Sequence, residues 1–261
     1  MMMYDSRMVL IYFALKYEGD YEKILTAIQL NEAPPEEEVV KAYQSLKCGA
    51  LTILDYDYPT KLKQVTRPPF VLFYYGDITL INHTQILATV GARECNAYGR
   101  IATEKILSEV APGRVIISGL AKGIDAVAHE CAIRNGGRTI AVLGSGIDNC
   151  YPSENKELYE IIKKNHLLIS EYPGMVTPDG PHFPMRNRIV TGLADGVFVP
   201  QINNYMSGTM VSITQSANMG KRVFVAPDQI GRPTINNRLI DEGAIFTIDG
   251  ETILYELQWR H

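Results

Sequence analysis

Four places along the chain put small residues, with a hydroxyl or a cation among them, directly after a short apolar run. Val90 leads into Gly91-Ala92-Arg93, and Ile117 into Ser118-Gly119-Leu120-Ala121-Lys122-Gly123. Leu143 leads into Gly144-Ser145-Gly146, and Val199, after a longer loop, into Ser207-Gly208-Thr209. In an open α/β sheet such junctions share one edge, at the carboxyl ends of the strands, where ligands bind. Glycines there let backbone N–H groups face a ligand, and the helix that follows adds partial positive charge. This chemistry suits an anion, most often phosphate. Any one junction is explained as well by a tight strand-to-helix turn; four on one edge favour phosphate.

The cations near these junctions are Arg93, Lys122, Arg186 and Arg188. Arg93 stands where a strand end would aim it at the ligand edge, or where a surface arginine would simply pack its stem. Phe183-Pro184-Met185-Arg186-Asn187-Arg188 is more informative, with an aromatic ring, two guanidiniums and an amide at the start of an expected helix. Guanidinium forks match phosphate oxygens and an aromatic face can stack a base. The competing reading has Phe183 plugging the core and the arginines solvated or tying loops together.

Other constellations are weaker. Asp125 and His129, four apart, share a helix face, but no third residue has metal-ligand spacing; local hydrogen bonding by Asp125 and a satisfied, partly buried His129 is the expectation. Ser118, Ser145 and Ser207 lie in glycine turns without forming the G-x-S-x-G elbow of a hydrolase. Asp148 and Glu171 sit at strand ends, where a carboxylate receives loop N–H groups. No G-x-G-x-x-G follows a strand and no G-x-x-x-x-G-K-[ST] loop is present. Cys48, Cys95, Cys131 and Cys150 form no C-x-x-C pair, so neither a zinc ribbon nor a disulfide scaffold is expected. No metal, cofactor or catalytic residue is assigned.

The elements that must position these residues follow from periodicity. Short apolar runs at 85–90, 115–117, 139–143, 167–170, 197–199 and 222–226 alternate with helical segments near 97–110, 124–135, 154–164, 185–194, 209–219 and 235–242. Runs apolar on both faces and spaced by helices indicate a mostly parallel sheet covered on both sides. Residues 1 to about 50 read as a small helical module: Val9, Leu10, Phe13 and Ala14, then Ile24, Leu25 and Ile28, recur at helical spacing. Pro34-Pro35 before Glu36, Glu37 and Glu38 starts a further helix. Residues 51–84 form strand-like stretches that extend the α/β unit at its N-terminal side.

The 261 residues suffice for one large or two unequal domains, and 46% hydrophobic with 21% charged residues is ordinary globular composition. A net charge of −4 excludes a polycationic mode of nucleic-acid binding but leaves room for a local basic pocket. Met1-Met-Met-Tyr-Asp5 opens no secretory signal, and Met8–Leu15 is too short to span a bilayer. A cytoplasmic protein with no membrane segment is expected.

The ordered series Val90-Gly-Ala-Arg93, Ile116-Ile-Ser-Gly-Leu-Ala-Lys-Gly-Ile-Asp125 with Ala128-His129, Thr139-Ile-Ala-Val-Leu-Gly144, Tyr151-Pro152 with Asn155, Ser170-Glu171, Phe183-Pro-Met-Arg-Asn-Arg188 and Ser207-Gly208 closely resembles the DNA-processing protein A family (DprA/Smf). The match spans about residues 52–245. The resemblance implies an extended Rossmann-like domain over 51–261 that binds single-stranded DNA. Residues 1–50 resemble the sterile-alpha-motif-like domain of some members. It further implies a non-catalytic homodimer, without cofactor, that protects incoming strands and helps load the RecA recombinase in natural transformation. Carried over by motif, Gly91, Arg93, Ser118, Gly119, Lys122, Gly144, Phe183, Arg186, Asn187, Arg188, Ser207 and Gly208 make the DNA site. The chain departs from the family pattern at Val199-Pro200-Gln201, Ser207-Gly-Thr-Met210 and Pro227-Asp228. Ser153, and Gly180 ahead of the Phe183 motif, stand where some members carry basic residues; a less cationic pocket and lower affinity follow. The sequence ends without room for the winged-helix domain of longer members. The rival readings are a nucleotide phosphoribohydrolase of the lysine-decarboxylase-like group, in which Gln215 replaces the needed carboxylate, and an interaction module with a vestigial pocket.

Overall fold

A computed structural model describes residues 5–229 and 235–259; the expectation for the chain start rests partly on residues 1–4, outside that range. The helical module comprises α1 (Ser6–Lys16), α2 (Tyr21–Gln29) and α3 (Glu36–Gln44). Asp5 caps α1 by accepting from the Met8 N–H, and Asp20 caps α2 by accepting from Glu22 and Lys23. The first helix of the acidic Pro-Glu stretch carries Glu36, Glu37 and Glu38 at the positive end of its dipole.

Then follow β1 (Gly49–Thr52), α4 (Thr60–Lys63), β2 (Val71–Gly76), β3 (Ile86–Thr89), α5 (Ala97–Val110), β4 (Val115–Ser118), α6 (Ile124–Arg134), β5 (Arg138–Leu143), α7 (Lys156–Asn165), β6 (Leu167–Ser170), α8 (His182–Leu193), β7 (Gly196–Val199), α9 (Gly208–Asn218), β8 (Arg222–Val225), α10 (Ile235–Asp241), β9 (Ile245–Phe246) and α11 (Gly250–Glu256). The nine strands form one sheet in the order β1-β2-β6-β5-β4-β3-β7-β8-β9. From β6 to β9 every pairing is parallel, whereas β2 runs antiparallel to both β1 and β6. The expected α/β class with a mostly parallel sheet is observed, and the 51–84 segment adds two strands to one edge.

Alternation along each strand divides the core. Ile86, Ala88, Ile117, Ile140, Val142, Ile169, Val197 and Val199 pack on one face, with Ile189, Val190 and Leu193 of α8 and Ile213 of α9. Leu87, Ile116, Phe198 and Phe224 face the other way, onto Ile106, Leu107, Val110 and Ala128 of α5 and α6. The helical module shares that second face: Ile11 and Phe13 of α1 belong to one cluster with Val71, Phe73, Leu143 and Leu168. The expected boundary at residue 50 therefore falls inside β1, which starts at Gly49, and the packing runs across it; Arg7 of α1 donates to Asp55 and to the Ala50 carbonyl.

Three differences from the sequence reading have local causes. Helix α8 begins at His182 rather than 185, because Pro184 falls in its first turn, where a missing N–H costs nothing. The expected helix at 154–164 is a 3-10 turn over Ser153–Asn155 followed by α7. The pairing of β9 and the helix α11 had no expectation; Asp249 caps α11 by accepting from Thr252. Among the described residues no helix is long and apolar enough to cross a membrane, and no group of three or more metal-ligating side chains comes together.

His129 is fully buried rather than partly so. Its Nδ1 lies 2.6 Å from Thr139 Oγ1, and that hydroxyl donates to the Ile116 carbonyl, so the imidazole is the donor in the pair. Burial pulls its pKa down to about 3 from 6.5. Between those values the unfolded chain takes up a proton that the native state refuses, so stability falls as pH drops, by up to ~1.4 kcal/mol per pH unit from this group. Urea midpoints measured from pH 7 to pH 4 should therefore decline more steeply in the wild type than in His129→Gln; identical slopes contradict the assignment.

Candidate nucleic-acid interface

The chain leaves β3 toward β4 on one side and later returns to β7 on the other, so the loops after β3 and β7 diverge and open a crevice at the carboxyl edge of the sheet. The cavity there has a volume of about 410 Å³ and is lined by Gly91, Arg93, Asp125, Phe183, Arg186, Asn187, Asn203, Asn204, Ser207 and Gly208, among others. This lies within the size range of small-ligand sites.

Its walls are fixed by short polar contacts. Ser207 caps α9 by accepting from the Met210 N–H, and Thr209 Oγ1 donates to the Gly91 carbonyl at 3.1 Å, which ties the start of α9 to the loop after β3. Asn187 Nδ2 donates to the Gly208 carbonyl at 3.0 Å, and Asn187 Oδ1 accepts from Arg186 Nε at 3.0 Å. Arg186 is 6% exposed, and its Nη1 donates to the carbonyls of Gly119 (2.5 Å) and Val142 (2.6 Å). Its Nη2 has no hydrogen-bond acceptor among the described residues. The N-terminal N–H groups of α9 and one edge of a buried guanidinium thus border the same cavity, an anion-binding arrangement.

Asp125 lies beneath, accepting from the backbone N–H groups of Gly119 (3.1 Å) and Ala121 (3.3 Å), the local role expected of it. Burial pushes its carboxyl up, against the pull of the Arg186 charge. Burial also pulls Arg186 down, but a guanidinium stays charged.

At the mouth, the exposed Arg93 guanidinium sits 5.1 Å from the centre of the Phe183 ring. It has no carboxylate partner among the described residues. The Tyr151 ring lies 5.9 Å from that of Phe183, tilted by 40°, and is 44% exposed. A cation and two rings therefore form a continuous rim.

Gly91, Arg93, Phe183, Arg186, Asn187, Ser207 and Gly208 are brought together as the sequence suggested. The other five candidates are placed elsewhere. Ser118 is buried and donates to the Thr89 carbonyl. Gly119 has its N–H taken by Asp125, and a Cβ there would lie 2.0 Å from Arg186 Nη1; it makes room for the guanidinium. Gly144 plays the same part for Phe183, whose ring would be 2.9 Å from an added Cβ. Lys122 turns out of the cavity to pair with Glu154. Arg188 is 5% exposed and grips Glu171 with both Nη atoms, at 2.6 and 2.8 Å, while its Nε donates to the Arg67 carbonyl. Glu171 is therefore an ion-pair partner and not a receiver of loop N–H groups. The cause is helical geometry: Arg186 and Arg188 are two apart, so α8 sends them to different sides. Sequence reasoning missed Asn203, Asn204 and the stacking position of Tyr151; an aromatic beside Pro152 in a loop at the ligand edge was the available signal. Gln215 stands away from the cavity lining, near Thr191.

Residues 49–258 match the family model of DNA recombination-mediator protein A. The chain belongs to that family. Similar members of the DNA recombination-mediator protein A family include the DNA processing protein DprA of Bacillus subtilis, 37% identical over 231 residues, 87% of this chain and 77% of that protein. The DprA of Streptococcus pneumoniae is 39% identical over 82% of this chain and 76% of that protein. In three dimensions a solved structure of the S. pneumoniae protein aligns over 97% of this chain and 99% of its own with a TM-score of 0.80 at 31% identity. A Helicobacter pylori DNA processing protein A, solved to explain its single-stranded DNA binding mode, aligns over 82% of this chain and 97% of its own with a TM-score of 0.73 at 29% identity. The recombination-mediator match begins at β1, so α1–α3 lie outside it, whereas the S. pneumoniae structure superposes on nearly the whole chain.

Proposed function

We propose that the crevice and its aromatic rim hold one DNA strand, with phosphates at Arg93, Arg186 and the start of α9 and a base on Phe183. The observation that carries this reading is the convergence of a buried guanidinium, an exposed unpaired one and a helix N-terminus beside an accessible ring. Such a site grips a backbone irrespective of sequence and needs bases free to stack, so it selects single strands over duplex. The Lys122–Glu154 pairing and the net negative charge keep each contact modest, and several copies on one strand add to the hold. In this reading the protein is a homodimeric, non-catalytic binder in the cytoplasm that protects incoming strands and helps the RecA recombinase onto them during natural transformation. Family membership supports the recombination role, and the description of the H. pylori relative supports the ligand.

Fluorescence-anisotropy titrations test it. Oligo-dT should bind more tightly than a duplex of equal length, with a log–log salt slope near −0.7 per phosphate contacted. Arg93→Ala should weaken binding for every strand sequence and flatten the slope by about 0.7. Equal affinity for duplex, or an Arg93→Ala variant that binds as the wild type, would remove the reading.

A further inference from the structure

We propose that a second nucleotide subsite adjoins the crevice, formed by the Tyr151 ring and the Lys122 ammonium, and that Glu154 fills its phosphate position until a strand displaces it. The inference rests on the crevice being a strand site and specifies where the strand goes next. Lys122 directly follows Ala121, which lines the crevice. Asn155 Nδ2 donates to the carbonyls of Leu120 (2.9 Å) and Ala121 (3.2 Å), so the loop carrying Tyr151 and Glu154 is pinned to the crevice wall. Tyr151 presents its ring beside Phe183, where a base adjacent to one stacked on Phe183 would arrive.

On the same loop, three residues after Tyr151, the Glu154 carboxylate holds the Lys122 ammonium, and both side chains are more than half exposed, at 53% and 58%. Hydrogen bonding to Lys122 keeps the Glu154 carboxyl below its ordinary range, so it is a standing anion at neutral pH. An exposed ion pair contributes little to stability, and a phosphodiester offers the ammonium the same oxyanion geometry. Exchange of carboxylate for phosphate is therefore cheap. It also changes little with salt, because added salt weakens the ion pair that is broken as well as the contact that is made.

A thermodynamic cycle with oligo-dT decides the matter. Glu154→Gln should bind about two- to five-fold more tightly at low salt, the range an exposed pair can withhold. Its log–log salt slope should steepen by about 0.7, one further ion released. Combined with Lys122→Ala, the substitution should bring no gain. Glu157→Gln removes the same charge one helical step away and serves as the control for general repulsion. No gain in Glu154→Gln, a gain matched by Glu157→Gln, or a gain that survives without Lys122 would overturn the subsite. A wild type that does not bind oligo-dT at all would instead overturn the crevice reading, and the subsite with it.

Discussion

Replacing Arg188 by alanine is expected to cost about 3–5 kcal/mol of folding stability, the usual penalty for removing one partner of a buried ion pair. Glu171 would be left almost inaccessible, with side-chain exposure of 7%, and without the guanidinium that grips both its oxygens. Burial already pushes its carboxyl up, and Arg188 is what holds it back. The Arg67 and Met185 carbonyls would lose their donor as well. The drop reads as a fall in the urea midpoint on the order of 1 M or more. Arg188→Met combined with Glu171→Met should recover most of it, because an apolar pair of similar volume spares both desolvation costs. An Arg188→Ala variant that unfolds like the wild type while losing DNA affinity would return this arginine to the groove.

The second large effect belongs to Phe183. Phe183→Ala should weaken oligo-dT binding by ~1–3 kcal/mol, roughly five- to 150-fold, while leaving any duplex binding unchanged, since only an unpaired base can stack on the ring. Two consequences of the local packing sharpen this. Arg93 loses the surface over which it lies, so the Phe183→Ala and Arg93→Ala effects should be less than additive in the double variant. Phe183→Leu, which fills the volume above Gly144 without an aromatic face, should restore little affinity. Full affinity in Phe183→Leu would show that the side chain serves as packing alone.

Much of the fold was legible because the central strands are buried on both faces. Val115–Ile117 and Leu167–Ser170 read as short apolar runs, and the helices between such runs indicated the parallel class. The two-residue strand β9 carries no such signal, since its place is set by pairing with β8 and not by its own pattern. The site was legible where a residue sits at a strand end, as with Arg93, or at a helix start, as with Ser207. It was not legible for Arg188 and Lys122, because which carboxylate captures a cation depends on contacts 17 and 32 residues apart in sequence. Two glycines have a further role that spacing does not show: the Gly119 N–H is held by Asp125, and Gly119 and Gly144 leave the space that lets Arg186 and Phe183 reach the edge of the sheet.

Photocrosslinking addresses the central claim most directly. Oligo-dT carrying 5-iododeoxyuridine, bound to the wild-type protein and irradiated, should form adducts on the aromatic rings of Phe183 and Tyr151, located by peptide mass spectrometry. Arg93→Ala should lower their yield at fixed protein concentration. A strand that binds yet crosslinks only to surfaces remote from the loops after β3, β5 and β7 would contradict the account.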